Sequence, residues 1–228
     1  GMGDACRIFN TPVTGGNVSF YNENPEMAIF PTPVIGMLGL IEDIENHRMT
    51  PEFKNTSDII YYVGASRKGL GGSEYLHEVH NLTTGDAPDI DLDFESRLQS
   101  TLLNAIQQQI VNAAHDISDG GLATTLAEMT MFSGKGADIS VDSLGDNKYE
   151  VLYSEAQSGV VVGCDTELQD RFESYFNKED VPFVKLGKVT ESGTLNIDDL
   201  VSLSVEEMYK IYDNVIEKAM KQKDDVVA

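Results

Sequence analysis

The sequence predicts an α+β protein: a layered, mixed-sheet module preceded by strands of an incomplete domain. Three observations predict it. From about residue 58 to residue 197, strand patterns and helix patterns alternate. Some of those strands are joined by turns too short for a crossover helix, so the sheet cannot be purely parallel. Ahead of them lie a few short apolar segments punctuated by Pro31, Pro33, Gly36 and Gly39, too few to close a sheet.

The elements follow in chain order. Met27–Phe30 and Val34–Ile41 read as strands of that incomplete part. Thr50–Ser57 is a polar linker carrying Pro51, and Asp58–Gly64 (Asp-Ile-Ile-Tyr-Tyr-Val-Gly) is a buried strand rich in β-branched and aromatic residues. Gly71–Glu74 opens a short helix. Leu98, Leu102, Ile106 and Ile110 recur every four residues and share a helix face. Val111–Ile117 is a strand running into an Asp-Gly-Gly turn, and Leu122–Phe132 is the helix after it. Ala137–Val141 alternates as a half-exposed strand. A helix through Tyr153, a strand Gly159–Cys164, a helix Glu167–Phe176 and a strand Phe183–Val189 complete the module. Ser204 with Glu207 three residues on forms a capping box that starts a helix carrying Val205, Met208, Ile211, Tyr212, Val215 and Ile216. Lys218–Asp225 is a charged tail expected to fray. The expected domains are residues 1–52, 57–200 and 201–228.

Composition sets limits on function. The chain has 228 residues, 41% apolar and 24% charged, ordinary values for a soluble globular protein. A formal charge of −22 argues against non-specific nucleic-acid binding, which needs Lys and Arg to displace counterions. Phosphate ligands stay open, because a divalent cation and backbone N–H groups can carry that load locally. No apolar run reaches membrane-spanning length, and no basic region followed by a hydrophobic stretch opens the chain, so the expectation is a cytoplasmic protein with no membrane partner. Gly1 ahead of Met2 reads as an expression remnant. Cys6 and Cys164 are too few and too far apart for a metal site or a disulfide framework, and Cys164, behind Val160–Val162, reads as a buried thiol.

Two segments carry chemistry. Pro12–Glu23 (Pro-Val-Thr-Gly-Gly-Asn-Val-Ser-Phe-Tyr-Asn-Glu) packs two glycines, amides, hydroxyls and a carboxylate into twelve residues. Its glycines leave no side chain in a ligand's way, and turn N–H groups can converge on phosphate. Asn17 offers a hard carbonyl oxygen that Mg²⁺ accepts, and Ser19, two residues on, points to the same side of an extended chain. The plain alternative is an ordinary turn. His115–Ala123 (His-Asp-Ile-Ser-Asp-Gly-Gly-Leu-Ala) frames a turn with Asp116 and Asp119, and Gly120–Gly121 open a helix whose N-terminus attracts anions. The two carboxylates fit either a divalent cation bridging to phosphate or the capping of that helix.

These two strings, with Leu70–Leu76 (Leu-Gly-Gly-Ser-Glu-Tyr-Leu) and Leu152–Gln157 (Leu-Tyr-Ser-Glu-Ala-Gln), resemble in content and order the second half of phosphoribosylformylglycinamidine synthase. The resemblance runs from about Thr11 to Ile197. It implies a C-terminal domain of the aminoimidazole ribonucleotide synthetase-like type. The implied reaction is ATP-dependent conversion of formylglycinamide ribonucleotide to formylglycinamidine ribonucleotide in purine biosynthesis. ATP activates the amide oxygen, and ammonia from a glutaminase subunit displaces the phosphate. Carried over by position, Gly16 contacts ATP, Asn17 ligates Mg²⁺ and Ser19 contacts the nucleotide substrate. Asp116, Asp119, Gly120 and Gly121, with Glu155 and Gln157, fall in the counterpart of an auxiliary nucleotide and Mg²⁺ site. Ala156 stands where the family pattern has serine.

The resemblance also implies a far longer polypeptide, with the acid–base histidines, the phosphate-binding Lys and Arg residues and most Mg²⁺ carboxylates in a first half that has no counterpart here. No catalytic residue is therefore assigned, and the chain is expected to be inactive without the remainder of the synthetase. Two other readings fit parts of the pattern: a non-catalytic nucleotide-binding or assembly module, and an enzyme like selenophosphate synthetase or thiamine-phosphate kinase. The Asn-Val-Ser-x-Tyr-Asn-Glu string favours the purine enzyme.

Overall fold

The computed structural model describes residues 1–19, 21–30, 32–65 and 69–224. Phe20 of the glycine-rich string, Pro31 and Asp225 of the tail lie outside the described residues. In chain order the elements are α1 (Met2–Ile8), α2 (Ile44–His47), β1 (Ile59–Gly64), α3 (Glu74–His80), α4 (Leu92–Gln107), β2 (Ala113–Asp116), α5 (Gly121–Ser133) and β3 (Gly136–Ile139). They continue with α6 (Lys148–Tyr153), β4 (Gly159–Cys164), α7 (Gln169–Lys178), β5 (Phe183–Thr190), β6 (Thr194–Ile197), β7 (Val201–Ser204), α8 (Val205–Asp213) and α9 (Val215–Asp224).

One seven-stranded sheet runs in the order β2-β4-β1-β5-β3-β6-β7. Its pairs are antiparallel except β3 with β6, so the sheet is mixed, as the short turns require. Every residue of β1 is buried. The cause is helices on both faces. Ile60 and Tyr62 point into one core with Leu122, Leu126 and Met129 of α5. Ile59, Tyr61 and Val63 point into the other with Phe94 and Leu98 of α4 and Phe172 and Phe176 of α7. Period-two alternation thus serves two apolar layers instead of one apolar and one wet face.

Local chemistry sets the helix ends. The Asp91 carboxylate accepts from the Asp93 and Phe94 amides at 3.1 and 3.0 Å and starts α4. Ser73 caps α3 by accepting from Leu76 N. Gly134 ends α5 at φ +68°, a conformation that favours glycine. Cys164 is buried, and that burial pushes its thiol up to about 12, as an inert core cysteine requires.

Several expectations are corrected. Residues 27–30 and 34–41 are not strands; among the described residues the one β-pairing there is an isolated bridge between Glu23 and Ala28. Met27, Phe30, Val34, Leu38 and Leu40 are exposed, because the described residues offer them no neighbouring strand and no apolar layer. Thr50–Ser57 is not a free linker: Phe53 is buried in the core, and its amide donates to Met129 O. Ile110 is buried but lies beyond the end of α4, after Gln109 at φ +55°. The helix expected to run through Ile216 is broken at Asn214 into α8 and α9, and α9 continues to Asp224, where a frayed tail was expected. Helices α1 and α2 and strands β6 and β7 are additional to the sequence reading.

Exposure without packing has a measurable consequence. Limited proteolysis is expected to cut first within residues 13–41 and to leave a resistant core that retains Phe53. An early cut inside residues 95–165 would contradict this division.

Candidate functional sites

The glycine-rich string lies between α1 and α2, on the surface. Gly15, Gly16, Asn17 and Ser19 are all exposed. The Asn22 side chain donates to Ser19 O at 2.6 Å. Asn24 closes the next turn by accepting from the Glu26 and Met27 amides at 2.9 and 2.8 Å. At Gly15 and Gly16 an added Cβ would meet nothing within 4 Å, and neither residue has a positive φ. Their own fold therefore gives no reason for glycine at these two positions.

The Asp116–Gly121 turn is built differently. It joins β2 to α5, with Gly121 N donating to Ser118 O at 3.0 Å. Gly120 and Gly121 have φ of +80° and +70°. A Cβ on Gly121 would stand 2.7 Å from Leu152 O and 2.8 Å from the Tyr153 backbone, so the end of α6 packs directly on the turn. Here the fold itself requires glycine. Asp116 and Asp119 are exposed. The carboxylate that meets the start of α5 belongs to Glu155: its Oε1 accepts from Gly120 N at 2.8 Å and from Glu74 N of α3 at 2.9 Å. Gln157 is exposed and Ala156 is buried. Beneath the turn a cavity of about 30 Å³, lined by Tyr62, Ile117, Leu122, Ser154 and Ala156, has room for about one water, far below the volume of a nucleotide pocket. A larger groove of about 680 Å³ runs between the end of α5 and the start of α8, away from every motif residue.

His115 lies on β2, with Nε2 2.9 Å from Glu128 Oε2 and Nδ1 3.2 Å from Asp116 Oδ1. It serves as a strand residue tied to α5. Glu74, His77 and Glu78 are, among the described residues, the one group of three acidic or histidine side chains whose ligand atoms lie within 4.8 Å of one another. They share an exposed face of α3, and their i, i+3, i+4 spacing was the signal available in the sequence. Asp116, Asp119 and Glu155 do not converge in this way. Gly16, Asn17 and Ser19 lie on one exposed segment; the Asp116–Gly121 turn forms a second site, with its two aspartates exposed and Gly121 packed against α6.

Comparison with known proteins follows these two surfaces. Residues 56–199 match the family described as AIR synthase related protein, C-terminal domain. Over 201 residues the chain is 43% identical to phosphoribosylformylglycinamidine synthase subunit PurL of Symbiobacterium thermophilum, covering 86% of this chain and 26% of that protein. Among solved structures it is similar to Thermotoga maritima PurL complexed with ATP (TM-score 0.58, 17% identity, 72% of this chain and 27% of the other). It is likewise similar to T. maritima PurL complexed with FGAR (TM-score 0.60, 18% identity, 71% of this chain and 29% of the other). At that identity the structural likeness speaks to the fold. The chain spans about a quarter of the length of the relatives it matches.

Proposed function

We propose, given that this chain belongs to the AIR synthase related protein family through its C-terminal domain, that it works as the C-terminal part of a phosphoribosylformylglycinamidine synthase. The observation that carries the reading is 43% identity over most of the chain, joined to an intact Pro12–Glu23 string whose glycine pair its own fold does not require. The activity is that of an ATP-dependent carbon–nitrogen ligase acting on formylglycinamide ribonucleotide in the cytoplasm. A glutaminase supplies the ammonia. Among the described residues no helix is long and apolar enough to cross a membrane.

In this reading the string completes an ATP site made jointly with the remainder of the synthetase. The backbone at Gly16 lets polyphosphate approach without a side chain between. Ser19 offers its hydroxyl to the nucleotide substrate. Mg²⁺ keeps several waters and takes one or two protein oxygens beside substrate phosphates. A neutral amide on an exposed segment suits one such position, so Asn17 would hold the ion. When bound, the ion supplies charge neutralisation as the phosphoryl group moves.

For Asp116, Asp119, Gly120, Gly121, Glu155 and Gln157, the bonding favours a structural role over an open auxiliary nucleotide site. Glu155 already takes the Gly120 amide, and the end of α6 packs directly on Gly121.

The chain alone is expected to form no formylglycinamidine ribonucleotide from ATP, formylglycinamide ribonucleotide and ammonium chloride. Adding a polypeptide that carries the remainder of the synthetase is expected to restore turnover. Clear turnover by the chain alone, above a no-enzyme blank, would overturn this reading.

A further inference from the structure

Glu155 holds two helix starts that are distant in sequence. One oxygen accepts the amide of Gly120, 35 residues away, and the amide of Glu74, 81 residues away. Both amides precede helical turns and carry the positive end of a peptide dipole array, so a carboxylate binds them more tightly than a neutral acceptor would. The Glu74 side of this arrangement is otherwise lightly held. Helix α3 buries none of its residues. Residues 71–86 fold back on themselves: Gly72 N donates to Thr84 O at 3.0 Å, and Gly71 and Gly85 touch backbone to backbone. A second attachment to the body is Tyr75, stacked on Tyr153 with centroids 4.8 Å apart and planes 12° apart, and beside Tyr149 at 5.8 Å. Tyr153 in turn packs its backbone on Gly121.

We propose that Glu155 is a latch: its carboxylate fastens residues 69–90 as a strap over the start of α5, and the strap opens when the carboxylate leaves its two amides. Closed, the strap and the Gly120 amide share one carboxylate oxygen, and both amides are satisfied. Open, it frees the Gly120 amide at the start of α5. The self-contained fold of residues 71–86 lets the strap move as a unit, because its internal bonds need not break. This inference is independent of the proposed enzyme activity.

The test is residue-resolved amide hydrogen exchange on the whole chain, for wild type, Glu155→Ala and Glu155→Gln. In Glu155→Ala, exchange at Glu74 and Gly120 and across residues 70–86 is expected to rise on the order of tenfold to a hundredfold, the worth of a charge-assisted hydrogen bond. The amides of β1 and β4 are expected to keep their wild-type rates. Glu155→Gln keeps the size and an acceptor oxygen without the charge, and an intermediate rise is expected. Should the alanine variant not fold, the glutamine variant decides by the same criterion. Unchanged exchange in the strap, or a rise in β1 and β4 equal to that in the strap, would overturn the latch.

Discussion

Phe172→Ala is expected to destabilise the chain by about 3–5 kcal/mol, the range for deleting a fully buried aromatic ring from a core. Phe172 is wholly buried on α7 and stacks on Tyr61 of β1, with centroids 4.2 Å apart and planes 19° apart. It also meets Phe176 at 4.4 Å and Phe183 of β5 edge-on at 5.5 Å. Removing the ring leaves a void among rigid aromatics that collapse poorly. It also undercuts Tyr61, whose hydroxyl donates to Glu173 Oε1 at 2.8 Å. Burial first, and the Glu173 carboxylate second, hold that phenol well above its ordinary range, so it stays a neutral donor. Domains of this size are stable by about 5–15 kcal/mol, so the loss is a large share of the total. Urea melts check it, with Leu38→Ala as the contrast, since Leu38 is fully exposed and its loss should leave the midpoint unchanged. A Phe172→Ala loss below about 1 kcal/mol would mean that the α7 layer does not hold the sheet as described.

In a complete synthetase, Asn17→Ala is expected to lower Mg²⁺-dependent ATP use by on the order of tenfold to a thousandfold, the scale of single electrostatic contacts in active sites. Alanine has no oxygen to give a hard cation, and water replaces the lost ligand only in part. Stability should change by about 0.5 kcal/mol or less, because Asn17 is exposed. Ser19→Ala should instead raise the apparent KM for the ribonucleotide and spare ATP. Saturation curves for each ligand, with thermal melts of each variant, separate these outcomes. Full activity of Asn17→Ala at limiting Mg²⁺, or activity lost only through unfolding, would leave Asn17 an ordinary turn residue.

What the sequence makes legible follows from how local each signal is. The β1 strand is readable as an unbroken run of β-branched and aromatic residues, and helices α5 and α7 because their apolar residues repeat at the helical period. Strands β6 and β7 are four residues each, too short for alternation to stand out around the Gly193 and Asp198 turns. Residues 27–30 and 34–41 mislead in the opposite direction. Their β-branched and apolar composition is that of strands, but a strand needs a partner, and among the described residues only the bridge from Glu23 to Ala28 pairs with them. Ile110 fits the four-residue spacing of α4, yet the helix ends before it and the turn at Gln109 carries it into the same core. At the candidate sites the motifs are legible as strings. The bonds of Glu155 to amides 35 and 81 residues away are not, because they exist only once three helices have docked.

The place of β1 in the sheet bears on how the chain folds in time. Its two neighbours are β4 and β5, so Tyr61 finds Val162 and Lys185 across roughly a hundred residues or more of intervening chain. Such pairings close long loops before any bond rewards them, which slows folding relative to a topology built on local contacts. On a ribosome, Ile-Ile-Tyr-Tyr-Val emerges well before either partner and must wait uncovered. It is apolar, rich in β-formers and free of charge and proline, the profile of a segment that pairs with copies of itself. The delay before residues 159–190 arrive therefore sets how long this segment stays uncovered during synthesis.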